Sequence, residues 1–137
     1  MYLDEVYDLV RKHNFEIWEY RFGRVRALDE IKKYVCDRFN ETSAILFLAS
    51  PEYTRQHEVI SFEINKTIEI RKGRSDRIAV FVLDLGNSEV VQELRPFATE
   101  VVSRDELNDL FEKHYDAIDD LYSLRRHRCE NYINFLP

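Results

Sequence analysis

Glu63 is the residue whose type and setting point most directly to chemistry. It lies in EVISFEINKTIEI (58–70), whose apolar residues recur at helical spacing. On a wheel of about 100° per residue it falls inside the apolar arc that runs from Val59 through Ile70 to Ile60. A carboxylate facing inward costs desolvation unless something compensates it, and such groups cluster at functional sites. It can stabilise positive charge that develops on a ligand. The structural alternative is a buried ion pair or a contact with the helix N-terminus.

Other candidates carry two readings each. Trp18 and Tyr20 either stack on a base or pack in the core. Arg24 and Arg26 either meet phosphates or are solvated. Ser50 either contacts ligand or caps the helix that follows. His57 is a base, a metal ligand or an exposed histidine. Asp84 either joins a site or forms a turn with Gly86.

These residues are positioned by alternating helix and strand patterns. Residues 2–12 form an amphipathic helix, with Tyr2, Val6, Leu9 and Val10 on one stripe. Residues 15–20 alternate as a strand, and 27–39 are helical. SAILFLA (43–49) and IAVFVL (78–83) are continuous apolar runs, the mark of strands covered on both faces. Residues 57–71 form the helix of Glu63, 89–94 a short helix and 99–102 a weaker strand. Ser103 with Glu106 reads as a capping box, opening a helix that runs from 104 past 120. Residues 121–137 are expected as a C-terminal helical extension, with the basic run Arg125, Arg126, His127, Arg128 on a solvated face. The fold class is α/β: an open, mostly parallel sheet flanked by helices, in one domain spanning 1–137. In such sheets ligands bind beyond the carboxyl ends of the strands, which selects Tyr20–Arg26, Ser50–Glu63, Asp84–Asn87 and Ser103.

Composition removes several functions. Gly23, Gly73 and Gly86 are the only glycines, against about nine or ten in an average chain of this length. Neither a Walker-A loop nor a GxGxxG loop can be built from them, so no Gly-rich cradle holds phosphate. The 26 acidic residues outnumber the 20 basic ones, giving −6, which argues against a dedicated nucleic-acid or acidic-membrane binder. Cys36 and Cys129 form no CxxC and read as reduced thiols, and no metal site is expected. There is no 18-residue apolar run and no signal-peptide pattern, so a cytoplasmic location with no membrane is expected.

The stretch SAILFLASPEYTRQHEVISFEI (43–64), followed by RIAVFVLD (77–84), resembles Toll/interleukin-1 receptor (TIR) domains of the bacterial type. Leu48-Ala49-Ser50-Pro51 and Tyr53 match the strand end and the aromatic of that pattern. Val59 and Ile60 stand where Trp and Cys are usual, and Glu63 stands at the glutamate. Arg95-Pro96-Phe97, Thr99–Ser103 and Asp105–Phe111 look like the last strand and helix, so the similarity spans about residues 2–118.

The resemblance implies a flavodoxin-like sheet and an activity: cleavage of the nicotinamide–ribose bond of NAD, in bacterial defence or signalling. NAD is then a substrate and no cofactor is implied. Departure of nicotinamide leaves an oxocarbenium-like ribose, which a carboxylate at Glu63 would stabilise. Trp18, Tyr20, Arg24, Ser50 and Tyr53 are the expected substrate contacts, and homo-oligomers or other TIR-like domains the expected partners. The alternatives are a non-catalytic TIR-like interaction module and, more distantly, a deoxyribosyltransferase-like enzyme. One departure matters. Such domains open with a strand carrying an aromatic-Ser motif, whereas this sequence opens on a helix, which leaves two expectations: a sheet missing its usual first strand, or a compact relative with altered topology. The strands near 15–20 and 43–49 would then pair directly or with another chain.

Overall fold

The run Ala44–Ala49 has no polar face because both of its faces are covered: all six residues are buried. The computed structural model describes residues 2–18, 28–51, 58–73, 78–118 and 120–124. In chain order the elements are α1 (Tyr2–Lys12), β1 (Glu16–Trp18), α2 (Leu28–Glu41), β2 (Ala44–Ala49), α3 (Glu58–Gly73), β3 (Ala79–Asp84), α4 (Ser88–Leu94), β4 (Glu100–Ser103), α5 (Leu107–Lys113) and β5 (Asp120–Leu124). Single 3-10 turns lie at Arg95–Phe97, Arg104–Glu106 and Tyr115–Ala117.

The five strands form one sheet in the order β1-β5-β2-β3-β4, and every pairing is parallel. Strand alternation sends Ala44, Leu46 and Leu48 of β2 to one face, with Phe81 and Leu83 of β3. There they meet Val6 and Val10 of α1 and Leu107, Leu110 and Phe111 of α5. Ile45, Phe47 and Ala49, with Val80 and Val82, face Val35 and Phe39 of α2, Ile60 and Ile64 of α3, and Val90, Val91 and Leu94 of α4. Each large apolar side chain buried this way contributes about 1.5–3 kcal/mol, the main force holding the layers together.

Local signals set the element ends. α1 stops at Asn14, whose φ of 62° is left-handed. The Phe15 amide donates to the Val10 carbonyl at 3.2 Å and the Asn14 amide to that of Arg11 at 2.9 Å, a Schellman ending. Val10 and Phe15 both join the core below it. At the other end of the same layer the expected capping box is present: the Ser103 amide and hydroxyl both donate to Glu106 Oε1, at 2.9 and 2.8 Å.

Two expectations are corrected together. The helix expected to run from 104 past 120 ends at Lys113, and residues 120–124, expected in a helical extension, are a strand. After α5 the chain makes a 3-10 turn, buries Ile118 under the sheet and enters β5. The strand sits between β1 and β2: Leu121 lies opposite Ile17 on one side and Ala44 on the other. The middle strand expected to be missing is therefore present, supplied from the far end of the sequence. β1 and β2 do not pair with each other, because both pair with β5. Two neighbouring strand edges would otherwise leave rows of backbone donors and acceptors unmet, and that demand overrides the weak local preference of Asp120–Leu124. The arrangement is compatible with a flavodoxin-like fold. It has that fold's 2-1-3-4-5 strand order, with the first strand placed last in the chain.

Candidate functional site

An all-parallel sheet gathers every strand's carboxyl end at one edge, and ligands bind where the strand connections diverge to opposite faces. Among the described residues, the connections leaving β1, β2 and β3 go to α2, α3 and α4 on one face, and the connection leaving β4 goes to α5 on the other.

The end of β2 is the best-defined wall. The Ser50 amide donates to the Leu48 carbonyl at 2.8 Å, a tight reversal that stops the strand. The Ala49 carbonyl accepts from the amides of Leu85 (3.0 Å) and Asn87 (3.2 Å), drawing the loop after β3 against it. Asn87 uses both ends of its amide. Nδ2 donates to the Ser50 carbonyl at 2.9 Å, while Oδ1 accepts from the Val90 amide at 3.1 Å and caps α4. Asp84 Oδ1 accepts from the Gly86 amide at 3.0 Å, the turn arrangement of the two readings given for it. Gly86 has φ +105°, which favours glycine; an added Cβ would only reach ordinary contact with Pro51 Cγ at 3.9 Å.

Ser50 is 1% exposed, and its Oγ has no hydrogen-bond partner among the described residues. It does not act as a helix cap there. A buried hydroxyl without a partner is uncommon, and a ligand group is one of the things that satisfies it.

Glu63 is fully buried, as the wheel predicts. It stands about 7.5 Å along α3 from the helix start, at 1.5 Å per residue. Ile60, Ile64 and Thr67 are buried beside it on the same helix. Thr67 Oγ1 donates to the Glu63 carbonyl at 2.8 Å, a bond back along the helix that satisfies the buried hydroxyl. At the first turn Glu58 pairs with Lys32 of α2 at 3.3 Å, and the same ammonium lies 5.6 Å above the Phe62 ring. That pair ties α2 to α3 on the side of the sheet where Glu63 is buried.

The other expected site residues divide as follows. Of Trp18 the backbone alone is described. In register it faces Tyr122 and, one strand further, Tyr122 faces Ile45, so it lies about 13 Å below the level of Ala49 at 3.3 Å per residue. Tyr20, Arg24, Tyr53 and His57 lie outside the described residues, as does the basic run 125–128. The structure thus places Ser50 and Glu63 on consecutive elements, the strand end and the helix it leads into.

Two contributors escape the sequence reading. Asn87 is signalled by its place three residues before the apolar Val90-Val91 pair, a helix-cap spacing. Thr67 is signalled by its place one turn after Glu63. Among the described residues no group of three or more His, Cys, Asp or Glu is arranged to hold a metal ion. No helix among them is long and apolar enough to cross a membrane.

Fold and rim together define an open α/β protein whose ligand edge lies at the carboxyl ends of its strands. Comparison of the chain with protein-family models, with curated proteins and with solved structures finds no match.

Proposed function

We propose that the chain is a TIR-like NAD glycohydrolase in which Glu63 stabilises the ribosyl cation formed as nicotinamide leaves. The observation that carries the reading is the full burial of this carboxylate on α3, the helix that follows β2. Out of bulk water, a carboxylate acts on developing positive charge far more strongly than an exposed one. Ser50 Oγ, buried and unpartnered among the described residues, supports a substrate contact at the end of β2. The sheet supports the reading in its spatial order alone, which is that of a flavodoxin-like sheet when β5 is counted as the first strand.

The test is nicotinamide release from NAD by the purified protein at high concentration, beside Glu63→Gln and Glu63→Ala. Release by the parent chain and a loss of about 10²-fold or more in both variants is the expected result. Release that survives both substitutions overturns the role of Glu63.

One observation favours a second reading, a non-catalytic TIR-like interaction module. Glu63 is 0% exposed, so substrate reaches it only after its surroundings move. Absence of nicotinamide release at every protein concentration would select that reading.

A further inference from the structure

The middle strand of this sheet is the last of the described elements in sequence. Among the described residues β1 has one strand partner, β5, which joins it to the rest of the sheet. Without β5 the facing edges of β1 and β2 stand two strand spacings apart, about 9–10 Å, leaving a slot one strand wide. Both edges run parallel, so the slot accepts a strand in one direction. Its register is set by Glu16–Trp18 on one side and Ala44–Phe47 on the other.

The entrance to this slot is the amino edge of the sheet, and three features converge there. The hinge is short: Ile118 is anchored in the α1/α5 core, β5 begins at Asp120, and a single residue lies between them. Short hinges invite a strand to straighten outward and pair elsewhere. Tyr115, on the 3-10 turn just before the hinge, is 49% exposed, the large apolar side chain most open to solvent among the described residues. It leans on Phe15 with ring centroids 5.7 Å apart, which places it at the end of the sheet where β1 begins. Thr42, two positions before the Ala44 that pairs with Leu121, is 8% exposed, and its Oγ1 has no hydrogen-bond partner among the described residues.

We propose that the amino edge of the sheet is a self-association surface across which β5 is exchanged with a second copy of this chain. Each copy's strand fills the other's slot in the same register, so every strand pairing survives and new contacts form around the hinge. Ile118 and Asp120 are separated by at most about 7 Å of chain. The two copies therefore meet amino edge to amino edge around a two-fold axis, with Tyr115 and Thr42 of both brought into the contact. The inference does not depend on NAD cleavage.

The test has two arms. In a Cys36→Ser, Cys129→Ser background, Ile17→Cys and Leu121→Cys oppose each other in register, at a strand spacing a disulfide can bridge. Oxidised after refolding at high concentration, this protein is expected to give a covalently linked dimer on a non-reducing gel. An intrachain-linked species at all concentrations overturns the proposal. Independently, light scattering of the unmodified chain is expected to show a dimer fraction that rises with concentration. A flexible six-residue insertion between Ile118 and Asp119 is expected to lower that fraction severalfold. A chain that stays monomeric, or an insertion without effect, also overturns it.

Discussion

The side-chain amide of Asn87 donates to the carbonyl of Ser50 at 2.9 Å, so the residue that caps α4 also holds the end of β2. Asn87→Ala loses both bonds and is expected to cost about 1–2 kcal/mol, seen as a lower urea midpoint with an unchanged slope. Asn87→Asp keeps the cap acceptor and loses the donor to Ser50. If the bridge matters, it falls between the parent chain and Asn87→Ala.

Asn14 and Gly86 hold the positive φ angles of the described backbone. Asn14→Gly relieves the left-handed cost of a side chain and is expected to leave thermal stability within about 0.5 kcal/mol of the parent. Asn14→Ala is expected to lose about 1 kcal/mol. Gly86→Ala is expected to lose about 1 kcal/mol or more, because its φ of +105° is strained for alanine whatever the space around it.

Thr67→Val removes the hydroxyl that bonds the Glu63 carbonyl at 2.8 Å while keeping the side chain's shape. The expected loss is about 0.5–1.5 kcal/mol by chemical denaturation. If Glu63 acts on substrate as proposed, its helix position also relaxes, and nicotinamide release falls in Thr67→Val without reaching the loss seen in Glu63→Gln.

Three glutamates at the helix layer of α1 and α5 predict the acid limb of stability. Glu100 is held below the ordinary carboxylate value of 4.5 by hydrogen bonding from Lys113, against the opposing effect of burial, with His114 at 3.3 Å adding to the lowering. Glu5 is lowered by Arg104, and Glu106 by the backbone and hydroxyl of Ser103. A carboxylate lowered in the folded state contributes stability above its unfolded value, and loses that contribution as pH falls through the lowered one. The urea midpoint is therefore expected to fall below about pH 4.5, and Glu100→Gln to flatten part of that fall. Added salt is expected to weaken the Glu5–Arg104 share most, since both side chains are about half exposed.

The legible part of this fold was written locally. Ala44–Ala49 and Ala79–Asp84 announce themselves because a strand buried on both faces has no polar residue to hide. Ser103 and Glu106 announce a helix start because capping needs only four residues. The inward face of Glu63 follows from the helical period alone. The strand at Asp120–Leu124 does not follow from anything nearby. It is short, begins with an acid and mixes Tyr and Ser, so its neighbours permit helix or strand equally. What decides it is a gap between β1 and β2, elements separated from it by most of the chain. The roles of Asn87 and Ser50 were partly hidden for the same reason, since the bond joining them crosses between two strand ends.

The place of β5 also ties completion of the sheet to the order of synthesis. A ribosome delivers α1 and β1 first, yet β1 waits for a strand that emerges after every helix described here. A chain cut short before Asp120 lacks its keystone, and the two unpaired strand edges it leaves are the kind of surface that makes an incomplete chain prone to aggregate.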